Sequence, residues 1–203
     1  MRIYTIIGGV NGAGKSSLTG VLRAERSDLG YIIDVDELTA KEGGDALKAA
    51  RLAIGKIRRF IDDGITFSQE TTLSGHMVER TVREAKDHDF RIHLFYVGLS
   101  SVEESIRRIR NRVEKGGHDI PTEDVIRRYG ERFHALSRIL PYCDEVKFYD
   151  NENQFCNVAE FRNGELLYKS DYRPKWLTEF KDYMKQEEQQ ETTEIESEQS
   201  LNP

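Results

Sequence analysis

Residues Ile6 to Ser17 read I-I-G-G-V-N-G-A-G-K-S-S, a glycine-rich segment between an apolar run and a helical pattern. The segment matches the phosphate-loop pattern G-x-x-x-x-G-K-[ST], whose backbone N–H groups surround the phosphates of a nucleotide. The following helix adds the positive end of its dipole at the same point. A chance glycine-rich turn is the alternative, but strand, loop, Lys-Ser pair and helix occur together here. The pattern therefore predicts a nucleotide-binding loop.

The individual residues of this loop have distinct predicted roles. Lys15 is expected to reach the β- and γ-phosphates, and the Ser16 hydroxyl to bind Mg²⁺. Ser17, at the second helical position, is expected to contact the α-phosphate. The other residues predicted to line the nucleotide site are Gly9, Asn11, Gly12, Ala13 and Gly14.

Length and composition limit the class of protein. A chain of 203 residues can form one domain with its own core. Cys143 and Cys156 form no C-x-x-C pair, and the N-terminus begins directly with a strand pattern instead of a signal peptide. We therefore expect two reduced thiols in a cytoplasmic protein. No apolar run approaches the length of a membrane span, so no membrane association is predicted.

The net charge of −6 is located at the C-terminus. Residues 186–203 contain six glutamates and no Lys or Arg, which accounts for the whole net charge. This segment has few apolar residues to offset its ordering entropy, so the sequence predicts a disordered acidic tail. The rest of the chain is close to neutral, which argues against binding to a nucleic-acid backbone.

Strand patterns alternate with helical patterns along the chain, which predicts an α/β protein with a doubly wound, mostly parallel sheet. The expected five strands are Ile3–Ile7, Tyr31–Asp36, Ile65–Glu70, Phe90–Val97 and Glu145–Asn151. The phosphate loop after the first strand makes this a P-loop NTPase fold with helices on both faces. The predicted division is a kinase domain over 1–151, a hairpin and helix over 152–185, and the tail.

A helical lid is predicted at about 108–132. A helix running to about Lys115 is followed by the glycine-containing segment Gly116 to Pro121, and a second helix begins at Thr122. Both helices carry arginines, of which Arg112 and Arg128 are the candidates for closing over the nucleotide. Such a hinged basic pair is typical of a mobile lid that covers phosphates.

Carboxylates follow the second and third predicted strands. The two-residue period places Asp34 and Asp36 on one face of the second strand, at the sheet edge where α/β proteins carry their sites. Glu70 and Thr72 end the third strand. A small-molecule kinase needs such a carboxylate to accept a hydroxyl proton, together with mobile arginines. The sequence lacks the N-K-x-D pattern of GTPases and the apolar strand with Asp-Glu of motor ATPases.

With these residues, the chain resembles the zeta toxin family of P-loop kinases, in its small chromosomal branch. The likeness covers about Ile3 to Asn151. It includes the phosphate loop, I-D-V-D-E-L, F-S-Q-E-T-T-L-S-G, F-Y-V-G-L-S-S, R-N-R-V-E-K-G-G-H-D-I-P and Y-D-N. The resemblance implies a kinase that uses ATP and Mg²⁺ to phosphorylate a sugar hydroxyl, which in toxin members belongs to UDP-N-acetylglucosamine. It also raises an antitoxin protein as a partner.

The resemblance also assigns roles to single residues. Asp36 looks like the catalytic base, Glu70 and Thr72 like acceptor-binding residues, and Arg112 like a lid arginine at the transition state. The second lid arginine has no direct match, because His118 occupies its approximate place and Arg128 is the nearest arginine.

Three features keep alternatives open. Asp34 stands where small members often have Asn, which would put two carboxylates on one strand face. The helix from Leu47 to Ile61 lacks the acceptor-contacting Glu of nucleotide-sugar kinases, and its Arg51 would suit an anionic acceptor or simply be solvated. Glu70 is equally consistent with orienting Mg²⁺-bound water. The alternative function is a regulatory P-loop ATPase without a metabolite acceptor.

Overall fold

The computed structural model describes residues 1–152 and 155–201. The strands are β1 (Arg2–Gly8), β2 (Tyr31–Ile33), β3 (Phe67–Thr71), β4 (Phe90–Gly98), β5 (Glu145–Asp150), β6 (Cys156–Arg162) and β7 (Glu165–Tyr168). The helices are α1 (Lys15–Glu25), α2 (Val35–Lys41), α3 (Ala46–Asp62), α4 (Met77–Asp87), α5 (Val102–Glu114), α6 (Thr122–Gly130), α7 (Arg132–Ser137) and α8 (Lys175–Leu201). A short 3₁₀ turn, Leu140–Tyr142, precedes β5.

The strands of the described chain form one sheet in the order β2-β3-β1-β4-β5-β6-β7. The first five strands in this order are parallel, whereas β6 and β7 run antiparallel. The predicted α/β class and mostly parallel sheet are therefore confirmed. The five expected parallel strands are present, and the expected C-terminal hairpin, which turns at Asn163-Gly164, adds β6 and β7 to the same sheet, so the sheet has seven strands.

The central strands are covered on both faces, which explains their continuous apolar sequence. Along β1, Tyr4 and Ile6 pack in a core cluster with α3, α4 and α8, while Ile7 packs in a second cluster with α1. This division follows the two-residue period of a strand. The Tyr4 and Phe67 rings stack with centroids 4.5 Å apart, which ties β1 to β3.

The pairing register determines which residues meet at the site. Gly8, at the end of β1, lies opposite Thr71 of β3 on one side and Tyr96 of β4 on the other. The phosphate loop therefore leaves the sheet between the ends of β3 and β4. Parallel alignment brings the carboxyl ends of these strands to one edge, where α/β sheets bind ligands.

The C-terminal helix α8 is part of the same core. Trp176 is fully buried, packs against Tyr96 and Phe148, and donates a hydrogen bond of 2.9 Å to Asp150 Oδ1. Gly98 lies beneath it, and a Cβ atom there would come within 2.0 Å of the indole ring. The end of β5 is thus joined directly to α8.

The structure differs from the sequence prediction at the C-terminus. Helix α8 runs from Lys175 to Leu201, across most of the segment 186–203 for which the composition predicts disorder. Gln and Glu are good helix formers, and the packed first turns of α8 supply the nucleus that an isolated segment lacks. Residues 202–203 of the predicted tail lie outside the described residues. Among the helices that the structure describes, none is long and apolar enough to cross a membrane.

Candidate active site

The phosphate loop has the backbone that its glycines permit. Gly9, Gly12 and Gly14 have φ angles of 150°, 74° and 102°, which side chains disfavour. A Cβ atom on Gly9 would lie 2.5 Å from the Val97 carbonyl oxygen, and one on Gly14 would lie 2.2 Å from Asn151 Nδ2. Glycine is therefore required at these positions for two reasons. It allows positive φ angles, and it leaves room for β4 and for the segment after β5 to lie against the loop.

Two residues that sequence reasoning missed hold the loop from outside. Asn151 Nδ2 donates to the Ala13 carbonyl at 3.1 Å. Arg108 of α5 donates to the Asn151 carbonyl at 2.9 Å and to the Gly12 carbonyl at 3.4 Å. The position of Asn151 directly after a parallel strand is the signal that could have indicated its place beside the loop.

Lys15 lies at the centre of the loop. Its ammonium group donates to the carbonyls of Gly9 and Val10 at 3.0 and 3.2 Å. Burial lowers the pKa of Lys15 to about 8, against the opposing effect of the Glu70 and Asp36 carboxylates. The charged form of a poorly solvated lysine is stabilised more by a bound phosphate than the charged form of a surface lysine is. The loop therefore fits a polyphosphate.

Glu70 accepts two hydrogen bonds from α1. Ser16 Oγ donates to one carboxylate oxygen at 2.8 Å, and Thr19 Oγ1 donates to the other at 2.6 Å. Hydroxyl and carboxylate oxygens are the ligands that Mg²⁺ prefers, so Ser16 and Glu70 together fit the metal of a nucleotide complex. The placement favours a role near the metal over direct acceptor contact. Thr19, buried one turn after Ser16, is a further residue that the sequence did not reveal.

Asp34 and Asp36 do not share a strand face, so that prediction is wrong. Strand β2 ends at Ile33, and the Asp34 carboxylate caps α2 by accepting from the Asp36 and Glu37 backbone N–H groups at 2.8 and 3.3 Å. Asp is a strong N-cap residue, and this preference ends the strand early. Asp36 lies in the first turn of α2, where its exposed carboxylate is 3.6 Å from Arg112.

The predicted lid is formed by α5, α6 and the segment between them. Gly116 has a φ of 84° at the turn after α5. Arg112 donates to the His118 carbonyl at 2.7 Å, and Arg128 donates to Asn11 Oδ1 of the phosphate loop at 3.2 Å. The lid therefore already covers the loop. The Nε atoms of Arg112 and Arg128 are buried without a hydrogen-bond partner, as are those of Arg132 and Arg138.

These elements surround a cleft of about 440 Å³. Its lining includes the predicted residues Asn11, Lys15, Asp34, Asp36, Glu70, Thr72 and Arg128, together with His118. The Thr72 hydroxyl is 2.8 Å from that of Ser74. Arg112 and Arg51 do not line the cleft: Arg112 lies beside Asp36, whereas Arg51 is exposed on α3. The remaining predicted residues outside the lining belong to the phosphate loop and the start of α1, namely Gly9, Gly12, Ala13, Gly14, Ser16 and Ser17. Ser17 is exposed at the start of α1.

A larger cleft of about 620 Å³ lies at the opposite edge of the sheet. Charged residues there pair among themselves, as in the contacts of Lys147 with Glu145 at 2.9 Å and Arg162 with Glu160 at 2.7 Å. It contains neither the phosphate loop nor the lid. The cleft beside Lys15 is therefore the candidate active site.

Comparison with known proteins gives one sequence relative and several structural ones. No family model matches the chain. An uncharacterized protein of Haemophilus influenzae is 34% identical over 126 residues, which cover 60% of this chain and 88% of that protein.

The structural matches indicate the fold. A structure from the PezAT chromosomal toxin–antitoxin system of Streptococcus pneumoniae aligns with 92% of this chain and 84% of its own, at 17% identity and a TM-score of 0.60. The AvrRxo1-ORF1:-ORF2 structure with ATP aligns with 91% of this chain and 63% of its own, at 13% identity and a TM-score of 0.65. A candidate kinase from Chloroflexus aurantiacus aligns with 63% of this chain and 77% of its own, at 15% identity and a TM-score of 0.51. The fold is that of P-loop kinases.

Proposed function

The chain belongs to the same family as the uncharacterized Haemophilus influenzae protein, and we propose that it is an ATP-dependent kinase that phosphorylates a hydroxyl group of a small molecule. One observation carries the proposal. The cleft beside the phosphate loop is lined by Lys15, Asp36 and Arg128, so phosphate-binding groups and an exposed carboxylate face the same space. An acceptor in that space would lie between the γ-phosphate and a base.

The loop and helix α1 are suited to hold the nucleotide. The backbone N–H groups of the loop and the Lys15 ammonium would bind the phosphates, and Ser16 with Glu70 would hold Mg²⁺. When bound, the metal neutralises charge on the phosphate oxygens. Thr19 keeps the Glu70 carboxylate turned toward Ser16 through its hydrogen bond of 2.6 Å. AvrRxo1-ORF1:-ORF2, solved with ATP, supports ATP as the nucleotide by similarity of fold.

Asp36 is the proposed base for the acceptor hydroxyl. Its carboxylate is exposed to the cleft, and the Arg112 guanidinium lies 3.6 Å from it. In phosphoryl transfer a carboxylate in this position accepts the hydroxyl proton as the oxygen attacks. Arg112 and Arg128, whose Nε atoms lack hydrogen-bond partners, would then stabilise the charge on the transferring group.

The acceptor is proposed to be a sugar, a nucleotide-sugar or a similar metabolite, in line with the zeta-toxin-like motifs. Thr72 at the wall of the cleft offers a hydroxyl for its orientation. The PezAT structure comes from a toxin–antitoxin system. An antitoxin-like protein partner for this chain is therefore part of the proposal.

A regulatory ATPase without a metabolite acceptor is the second candidate. The observation that favours it is the contact of Glu70 with Ser16 and Thr19, which places this carboxylate by the metal and leaves fewer groups for an acceptor. In that case Asp36 would act on the metal shell or on water.

One experiment separates the two functions. Wild type, Asp36→Asn and the matched control Glu37→Gln are incubated with γ-labelled ATP and a metabolite extract, and labelled products are identified by mass spectrometry. The kinase yields a phosphorylated small molecule with wild type and Glu37→Gln, and none with Asp36→Asn, although all three bind ATP. Label released only as free phosphate by wild type would refute the kinase and support the ATPase.

A further inference from the structure

A groove of about 330 Å³ lies between α3 and α4, over β3. Val35 and Gln69 line both this groove and the candidate active-site cleft. The two spaces are therefore neighbours, with Val35 and Gln69 as their common wall. A volume of this size is at the lower end of the range for small-molecule sites.

The walls of the groove are mainly apolar. Helix α3 contributes Ala50, Ala53, Ile54 and Ile57, of which the two alanines leave room that larger side chains would fill. On the α4 side, Met77 is 44% exposed. Covering these apolar side chains with the apolar part of a ligand removes their surface from water, which favours binding.

Two arginines lie on opposite walls of the groove without an ion-pair partner. Arg58 of α3 and Arg80 of α4 both line it, and no carboxylate within the described part of the chain lies within salt-bridge distance of either. Nearby arginines on the same two helices do have ion-pair partners: Arg59 of α3 pairs with Asp63 at 3.3 Å, and Arg83 of α4 pairs with Glu79 at 2.7 Å.

The lining contains a single carboxylate, that of Glu84. With two guanidinium groups against one carboxylate, the charge of the groove lining is net positive. Arginine offers several N–H donors in a fixed arrangement that matches phosphate and carboxylate oxygens. The groove is therefore complementary to an anion.

We propose that this groove is the distal subsite for the phosphoacceptor, and that it takes an anionic group, phosphate or carboxylate, carried on an apolar body. The inference rests on the proposed kinase function, which places the acceptor hydroxyl at Asp36. It defines the substrate class more closely, because small neutral sugars would leave both Arg58 and Arg80 unused. It also replaces Arg51, which the sequence suggested for an anionic acceptor, because Arg51 lines neither this groove nor the active-site cleft, whereas the exposed Arg58 further along α3 lines the groove.

The first test is binding of simple probes to the full chain. Calorimetry first establishes that ADP with Mg²⁺ binds, and the loaded protein is then titrated with phenyl phosphate, benzoate, benzyl alcohol and inorganic phosphate. ADP fills the α- and β-phosphate positions, and inorganic phosphate, which fits the open γ-phosphate position, measures how much an anion gains there without the groove. We expect phenyl phosphate or benzoate to bind at least about tenfold more tightly than benzyl alcohol and inorganic phosphate, since charge and apolar surface both contribute. The difference between the two aromatic anions distinguishes phosphate from carboxylate.

The variants decide whether the groove is responsible. Arg58→Ala/Arg80→Ala should weaken the preferred probe by about tenfold or more. Ala50→Met, which fills the groove with a good helix former, should also weaken it. The control Arg23→Ala/Arg110→Ala removes two exposed arginines outside the groove and should leave binding unchanged. Equal binding by wild type and Arg58→Ala/Arg80→Ala, or inorganic phosphate binding as tightly as phenyl phosphate, would overturn the inference.

Failure of the kinase proposal gives a different result. If ADP does not bind, or if no metabolite is phosphorylated, the kinase proposal fails, while the probe titration of Lys15→Met still measures the groove separately. If wild type does phosphorylate a metabolite, Arg58→Ala/Arg80→Ala should raise KM for that acceptor with ATP binding unchanged. A normal KM in that variant would show that the acceptor does not use the groove.

Discussion

Lys15 should make nucleotide binding depend on pH in a range where most lysines do not titrate. Burial lowers the pKa of Lys15 to about 8, so in the free protein the ammonium loses its proton as the pH rises through that value. Bound phosphates favour the charged form and raise this pKa again. Binding therefore takes up a proton above pH 8, and affinity must fall as the pH rises.

The size of the effect follows from these pKa values. If phosphate restores the pKa of Lys15 to near its ordinary value, Kd should increase about twentyfold between about pH 7.5 and 9.5. This corresponds to about 2 kcal/mol of binding free energy. The γ-phosphate is already ionised over most of this range, so it contributes little to the change.

The assay is calorimetric titration of wild type and Lys15→Met with Mg²⁺ and a non-hydrolysable ATP analogue across this range. Lys15→Met keeps an unbranched apolar stem of nearly the same length but has no proton to exchange. We expect weaker binding and a nearly flat pH dependence for the variant. Parallel pH profiles in the two proteins would refute the assignment of the titration to Lys15 and the role of its ammonium in phosphate binding.

Four further predictions concern the lid, the metal site, the loop and the core. Arg112→Ala should lower kcat by about a hundredfold in steady-state assays with little change in ATP affinity, while exposed Arg110→Ala on the same helix should be normal; a raised KM alone would contradict this. Glu70→Gln should weaken Mg²⁺ binding and therefore raise the metal concentration that gives half-maximal nucleotide binding. An unchanged metal requirement would exclude the site beside Ser16. Asn151→Ala should weaken nucleotide binding by about tenfold in calorimetry, since the Ala13 carbonyl loses its hydrogen bond; normal affinity would show that the loop holds its shape unaided. Gly98→Ala should lower the free energy of unfolding by about 3 kcal/mol in urea, because its Cβ would lie 2.0 Å from the Trp176 indole, and wild-type stability would mean that the indole can move away.

The elements built on strong local patterns were predictable. The phosphate loop has a fixed spacing, and β4 is continuously apolar, so both were identified close to their observed bounds. The end of β2 was not predictable from the two-residue period, because the capping of α2 by Asp34 competes with strand continuation. Helix α8 continues past the predicted boundary because its packed start nucleates the polar turns, which composition does not reveal.

The site was predictable to the extent that its residues follow strand ends. Glu70 lies near the end of β3, while Lys15 and Asp36 lie in the first turns of the helices that follow β1 and β2, so their meeting at one edge follows from the fold class. Arg108 and Asn151 were missed because their function depends on contacts between segments distant along the chain, with carbonyls of the loop. Arg51 was misplaced because a basic helix shows which residues are charged but not which face meets the cleft.

The link from β5 to α8 makes the indole of Trp176 an internal sensor. Trp176 is the chain's only tryptophan, and it donates to Asp150, the residue directly before the Asn151 that holds the phosphate loop. A change in the loop on nucleotide binding therefore reaches the indole through two adjacent residues, Asn151 and Asp150. Nucleotide binding can then be followed by the fluorescence emission of Trp176, without an added label. The same link means that a shortened protein ending before Trp176 would lose a support of its phosphate loop, and α8 must be retained in any minimal catalytic fragment.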